Sequence, residues 1–348
     1  MKISEIDKNL KVETSIGRDD IVWLSPKDAP FVIYNAVELD KNMGYHRMPD
    51  AIAKEVNSGV AALNFHSAGI RVRFKTNSPF VAIKTKQCVD RQLPHMPRTG
   101  QSGFDLYNED GFIAAFIPPY DIKDGYESLK NTRGGEHTYT LNFPLYDIVE
   151  ELYIGLSKDS TISPPDDYKY PKPIVFYGSS ITHGGCASRP GSCYEPLISR
   201  ALDTNFINLG FSGNAKGEER MAEYIATIDA SIFVCDYDWN AESLKDLEEH
   251  HYPFYKRYRE LSPNTPIVFV TRPDFSIYDE SAARRDLIKS NFEKAKSEGD
   301  NNVYFIDGET LFAGEHRDNC TVDGCHPTDL GFFRMAQVIG AVLKDILK

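Results

Sequence analysis

A chain of 348 residues exceeds the usual length of one domain and divides into about two. With 41% hydrophobic residues and a mean hydropathy of -0.40 it carries enough apolar material for packed cores, which excludes global disorder. A formal net charge of -12, a pI near 5.3 and the lack of any Lys/Arg cluster exclude the basic footprint that a nucleic-acid partner requires.

The opening MKISEIDKNLKVETSIGRDD has no apolar core of signal-peptide length, and nothing later approaches the roughly 18 uninterrupted apolar residues of a membrane span. A cytoplasmic protein with no membrane partner is expected. Residues 1–165 read as strands and turns. Alternation in Ile70–Phe74 sets Ile70, Val72 and Phe74 on one face and Arg71 and Arg73 on the other, and Phe80–Lys86 alternates again beyond a turn at Thr76–Pro79. Tyr139–Phe143 and Val149–Ile154 are further strands, whereas helix fits only Val37–Tyr45 and Asp50–Val56. Short alternating runs of this kind predict an antiparallel β-sandwich of jelly-roll type.

Ser160–Pro173, with Pro164-Pro165-Asp166-Asp167 and Pro171-Lys172-Pro173, is a polar, proline-rich connection. It predicts one domain over residues 1–165 and a second over 172–348. In the second, strands at Ile174–Tyr177, Asn205–Leu209, Ser231–Cys235, Ile267–Thr271 and Val303–Ile306 alternate with helices. The helices are Tyr194–Leu202, Glu218–Ile228, Ala241–Leu261 with a kink or break at Pro253, Ala282–Ser297 and Asp329–Leu347. Apolar runs separated by amphipathic helices specify a parallel sheet covered on both faces, a three-layer α/β/α domain. In the last helix Thr328 is the expected N-cap, and Phe332, Met335, Ile339, Val342 and Ile346 form its apolar face.

Cys88, Cys186, Cys193, Cys235, Cys320 and Cys325 are scattered and include no CxxC pair, so free thiols are expected and neither a metal centre nor a cofactor is implied.

The most informative stretch is Pro173–Cys186, PIVFYGSSITHGGC. A buried strand ends abruptly at Gly178, and Ser180 stands just beyond its C-terminal end, where open α/β sheets bind ligands. Gly178-Ser179-Ser180-Ile181-Thr182 resembles the first block of the SGNH (GDSL-type) hydrolases, with Ser179 where many members have Asp. Asn208-Leu209-Gly210-Phe211-Ser212-Gly213, then Asn240, then Asp323-Gly324-Cys325-His326 follow in that family's order. The resemblance implies Ser180 as nucleophile, His326 as its base and Asp323 as the group that orients His326. It implies backbone N–H groups of Ser180 and Gly213, with the Asn240 side chain, as oxyanion donors. The family's Gly-x-Asn-Asp is replaced here by Cys235-Asp236-Tyr237-Asp238-Trp239-Asn240, and a helix N-cap role competes for Asn240. Of the remaining candidates, His183 is expected to line the pocket, His250 and His251 to be solvated, and Arg272 to be a pocket wall or an ion-pair partner.

Gly103-Phe104-Asp105-Leu106-Tyr107 resembles the GxDLY segment of the accessory domain that precedes the hydrolase domain in a bacterial branch of the same family. Two readings stay open: plain strand packing, or a loop from His95 to Ser102 that leans over the catalytic face. The whole implies a two-domain serine esterase acting on a small-molecule or oligosaccharide ester. A short acyl group, acetyl above all, on a carbohydrate or other small polar alcohol is preferred. The alternatives are a phospholipid or platelet-activating-factor-like acetylhydrolase and a non-catalytic carbohydrate-binding protein. The sequence leaves an oligomer open.

Overall fold

The computed structural model of the protein describes residues 12–39, 44–88, 92–273 and 280–348. The described chain forms two compact units. The first draws on the described residues within 1–47, 65–167 and 188–191, the second on those within 48–64, 168–187 and 192–348.

In the first unit the strands are β1 (Ile21–Leu24), β2 (Val32–Tyr34), β3 (Arg71–Thr76), β4 (Phe80–Cys88), β5 (Phe104–Asn108), β6 (Gly111–Phe116), β7 (Tyr126–Asn131), β8 (His137–Asn142), β9 (Ile148–Ser157) and β10 (Ile162–Ser163). All pair antiparallel, in one sheet of order β1-β9-β4-β7 and another of order β10-β3-β8-β5-β6 with β2 beside β3. The period of two turns Val72, Phe74, Leu106 and Leu141 of one sheet and Val81, Ile83, Ile154 and Leu156 of the other into a single apolar core, which makes the unit a β-sandwich. The opposite face of β3 is also covered. Arg71 and Arg73 are buried, and the Tyr34 ring lies 5.0 Å from the Arg71 guanidinium carbon.

The GxDLY segment does more than fill this core. Asp105 is fully buried on β5; its Oδ1 accepts from Asn142 Nδ2 at 2.8 Å and its Oδ2 from the Gly191 N–H at 2.7 Å. Tyr107 receives Arg189 Nε on its hydroxyl at 3.1 Å, and a side chain at Gly191 would meet its ring at 2.3 Å. The motif thus grips residues 188–191. The loop before it carries a short helix, α3 (Arg98–Gln101).

In the second unit β11 (Tyr170–Gly178), β12 (Thr204–Gly210), β13 (Ile232–Asp236), β14 (Ile267–Val270) and β15 (Val303–Ile306) form a parallel sheet of order β12-β11-β13-β14-β15. Ile174–Tyr177 of β11, Ile232–Cys235 of β13 and all of β14 are apolar runs because both their faces are covered. Val175, Tyr177, Phe233, Cys235, Ile267 and Phe269 face one helix layer, formed by α6 (Glu219–Ala226), α7 (Leu244–Leu261) and α8 (Ser281–Ser297). Phe176, on the opposite face, meets Tyr194 of α5 (Tyr194–Leu202), which in turn stacks on Phe332 of α9 (Asp329–Ile346). Thr328 caps α9 as its position predicts, accepting from Gly331 N–H. No helix among the described residues is long and apolar enough to cross a membrane.

Four expectations need correction. The predicted domain of residues 1–165 is interrupted, because 48–64 cluster with the second unit. There α1 (Asp50–Val56) and α2 (Ser58–Leu63) bury Ala53, Val60 and Leu63 in the α/β core. Next, α7 runs through Pro253 without a break: the proline is on an exposed face, where water can serve the carbonyl that loses its N–H partner. Third, His251 is not solvated. It is buried among Tyr237 and Phe269, and that burial pushes its pKa down to about 3. His250 is exposed as expected. Of the predicted Val37–Tyr45 helix, residues 40–43 lie outside the described residues, and Val37 instead pairs with His46 in an antiparallel bridge.

Candidate active site

The strand order places the sheet's reversal point at β11, whose connections leave to β12 on one side while the chain later returns to β13 on the other. The crevice outside the carboxyl ends of such strands is where doubly wound sheets bind ligands. Ser180, Gly213 and Asn240 follow the ends of β11, β12 and β13 respectively.

Ser180 opens α4 (Ser180–His183), a single turn capped by Ser179, whose Oγ accepts from Ile181 N–H at 3.2 Å. Ser179 therefore supplies the local cap at the position where many SGNH hydrolases carry Asp. The strand-to-helix corner demands a glycine: a side chain at Gly178 would lie 2.0 Å from Thr182 Oγ1 and 2.4 Å from the Asp236 carbonyl oxygen. Beneath the corner Asp236 Oδ2 accepts from the Tyr194 hydroxyl at 3.3 Å and from Thr182 Oγ1 at 3.4 Å. Asn208 Nδ2 donates to the Thr182 carbonyl oxygen and to Glu195 Oε1, the latter at 3.2 Å. Burial above all drives the Asp236 and Glu195 carboxyls well above the ordinary range, with repulsion from Asp238 adding to it at Asp236 and repulsion from Asp236 adding to it at Glu195.

His326 reaches the serine from a tight turn ahead of α9. Its Nε2 lies 2.8 Å from Ser180 Oγ and its Nδ1 lies 2.8 Å from Asp323 Oδ2. The other oxygen of Asp323 accepts the N–H groups of Cys325 at 3.0 Å and His326 at 2.8 Å. Partial burial works to raise this carboxyl, but the hydrogen bonds from the His326 ring and the two amides outweigh it and hold Asp323 below its usual range. An ionised Asp323 fixes the Nδ1–H tautomer and leaves Nε2 to accept from Ser180.

Gly213 has φ +72°, strained for any other residue, and open space where a side chain would be. Its neighbour Asn214 is braced by α2, with Asn57 Nδ2 donating to the Asn214 carbonyl oxygen at 3.0 Å and Gly59 packed against its side chain. Asn240 ends a 3-10 turn, Asp238–Asn240, and its Nδ2 donates to the Phe211 carbonyl oxygen at 3.0 Å. It does not cap α7. Ser243 does, accepting from Asp246 N–H at 3.1 Å, so the helix begins later than Ala241 and Asn240 is released from that role.

His183 is fully buried and its Nδ1 accepts from Ser212 N–H at 3.4 Å, which makes it a brace for the Gly213 loop and not a pocket wall. Arg272 lies over the Trp239 ring at 4.5 Å, and its backbone N–H donates to Asp238 Oδ2 at 3.1 Å. None of the six cysteines is in a disulfide. Cys186 and Cys325 are pushed up to about 12, chiefly by burial, which disfavours the thiolate and makes both poor nucleophiles. Asn57, Gly59, Asn208 and Asp236 were not singled out from the sequence as site residues. Only Asn208, inside the second block, carried a signal.

Residues 171–344 match the GDSL-like lipase/acylhydrolase family, and residues 21–162 match the GxDLY domain, described as the N-terminus of SGNH-hydrolase-type esterases. The chain belongs to the GDSL-like lipase/acylhydrolase family. Like its family it is a carboxylic ester hydrolase. A crystal structure of a GDSL-like lipase from Bacteroides ovatus shares 33% identity at a TM-score of 0.84, covering 94% of this chain and 98% of that one. The salicylyl-acyltransferase of a tetracycline biosynthetic pathway superposes at 0.78 with 19% identity, over 93% of this chain and 98% of its own. A family two carbohydrate esterase from Clostridium thermocellum, solved with cellohexaose, superposes at 0.62 with 13% identity, over 91% and 99%. The last two carry likeness of fold alone. No curated protein sequence matches the chain.

Proposed function

We propose that the protein is a serine esterase that removes a short acyl group, acetyl above all, from a carbohydrate or other small polar alcohol through an acyl-enzyme. The observation that carries this reading is the hydrogen-bonded line from Ser180 Oγ through His326 to Asp323, with 2.8 Å at each step. Ser180 Oγ bonds to the ester carbonyl carbon as its proton passes to His326 Nε2. The carbonyl electron pair moves onto the oxygen, which the N–H groups of Ser180 and Gly213 and the Asn240 amide receive. When the carbon–oxygen bond to the alcohol breaks, His326 returns the proton to the departing oxygen. Water repeats the cycle on the acyl-enzyme, with His326 as base, and frees the acid.

A polar acceptor fits the half-exposed Trp239 crossed by the Arg272 guanidinium beside Asn240, a wall both aromatic and polar. The fold is also one used by a family two carbohydrate esterase and by an acetyl xylan esterase from Butyrivibrio proteoclasticus. The test has two arms. Ser180→Ala should lose turnover and fluorophosphonate labelling while staying folded, and retained labelling would overturn the nucleophile. On 4-nitrophenyl esters kcat/KM should fall from acetyl to octanoyl, since each added methylene needs apolar surface worth about 0.8 kcal/mol or stays in water. A steady rise to octanoyl would favour a lipid-directed acetylhydrolase.

A further inference from the structure

The turn that presents Asn240 is held by a residue more than forty positions later in the chain. Arg284 sits in the first turns of α8 and is almost fully buried. Its Nη1 donates to the Asp238 carbonyl oxygen at 3.1 Å and faces Asp238 Oδ1 at 3.4 Å, while Nη2 donates to the Ala241 carbonyl oxygen at 3.2 Å. Its Nε is engaged by Glu280 Oε2 at 3.2 Å, which sets the plane of the guanidinium. One rigid, planar group therefore spans the carbonyls on either side of Asn240. Asp238 is buried too, and its second oxygen accepts the Arg272 N–H at 3.1 Å, so the turn is tied to the end of β14 as well.

Asn240 spends one of its two amide hydrogens on the Phe211 carbonyl oxygen, two residues before Gly213. The second hydrogen is the one an oxyanion could use, and its direction depends on where the turn stands. We propose that Arg284 is a positioning residue for the reaction: by bridging residues 238 and 241 it aims the Asn240 amide at the developing oxyanion. The proposal rests on the serine-esterase reading. A small displacement of such a donor is costly because the contact forms fully only in the transition state.

The test is steady-state kinetics on 4-nitrophenyl acetate for Arg284→Gln, Arg284→Lys, Asn240→Ala and the Arg284→Gln/Asn240→Ala double variant, with far-UV circular dichroism as the check on folding. Arg284→Gln should lower kcat by about 100-fold, the scale of one lost oxyanion donor, and leave KM within about threefold. Arg284→Lys, which keeps the charge but cannot span both carbonyls, should fall between Gln and wild type. The double variant should lose no more than about twofold beyond Asn240→Ala alone, because both changes remove the same contact. Wild-type kcat in Arg284→Gln overturns the proposal, as does wild-type kcat in Arg284→Lys if the Gln variant does not fold. So does a double variant whose losses multiply, or a loss carried by KM. Full kcat in Asn240→Ala also removes it and leaves the serine reading standing, whereas full activity in Ser180→Ala removes the serine reading itself.

Discussion

Replacing Asp323 by Asn should harm turnover more than replacing it by Ala, although Asn is the closer mimic. One oxygen of Asp323 accepts two backbone N–H groups, from Cys325 and His326. In Asp323→Asn the amide oxygen must stay there, because an NH2 group would face two donors. The NH2 is then directed at His326 Nδ1, which must become an acceptor and send the ring proton to Nε2, the atom that should take the proton from Ser180. A wrong tautomer at this position costs about four orders of magnitude in kcat, or about 5.5 kcal/mol of barrier. Asp323→Ala leaves Nδ1–H to water, and with the Asp323 side chain 38% exposed, water can reach it. The Ala variant should therefore lose only about two to three orders. The assay is kcat on 4-nitrophenyl acetate across pH 5 to 9, together with thermal unfolding. Asp323→Asn should be the better folded and the less active of the two. If Asp323→Asn works as well as Asp323→Ala, or comes within about tenfold of wild type, the tautomer argument fails.

Two further outcomes follow from glycine packing and from a buried acid. Gly59→Ala in α2 would ordinarily gain up to about 1 kcal/mol of helix propensity. Here the new methyl would lie 1.8 Å from Asn214 Oδ1, so the variant should instead lose about 1–3 kcal/mol and lower kcat by disturbing the Gly213 loop; a raised melting temperature would contradict this. Asp147 is fully buried, and burial lifts its carboxyl from 3.8 to about 6 against the hydrogen bond from Gln87. The folded state then holds this proton while the unfolded state releases it, so stability falls as pH rises from about 4 to about 6 and the deficit persists above. Between pH 4.5 and 7.5 urea unfolding should show Asp147→Asn gaining on wild type by on the order of 2 kcal/mol, and a gap that narrows with pH would refute the assignment.

Much of the α/β unit is legible because its signals are local. Ile174–Tyr177 or Val303–Ile306 is an apolar run since both faces of the strand are covered, and Thr328 announces α9 by its own side chain. Ser180, Asp323 and His326 lie in short blocks whose internal spacing sets part of their geometry. What escaped the sequence depends on contacts between distant residues. Nothing in Asp50–Leu63 states which of two cores its apolar residues join. The charged neighbours of His251 hide a position on the inward face of α7. Arg284 looks like any cation on a charged helix until the partner carbonyls are seen. Pro253 misleads because a proline on an exposed helix face costs one hydrogen bond and no continuity.

The exchange of short segments between the two units bears on how the chain can be made. Domains emerging from the ribosome at about 5–20 residues per second ordinarily fold in order, each when its last residue is out. Here neither can. Residues 48–64 are synthesised long before β11 and must wait for the sheet they cover, holding Val60 and Leu63 without a core in the meantime. The sandwich, for its part, cannot seat Asp105 against Gly191 until translation has passed Ser180. The nascent chain therefore carries the uncovered apolar residues of α1 and α2, and an Asp105 still lacking its Gly191 partner, through the middle of its synthesis, the period in which a chaperone that holds such surfaces has the most to bind.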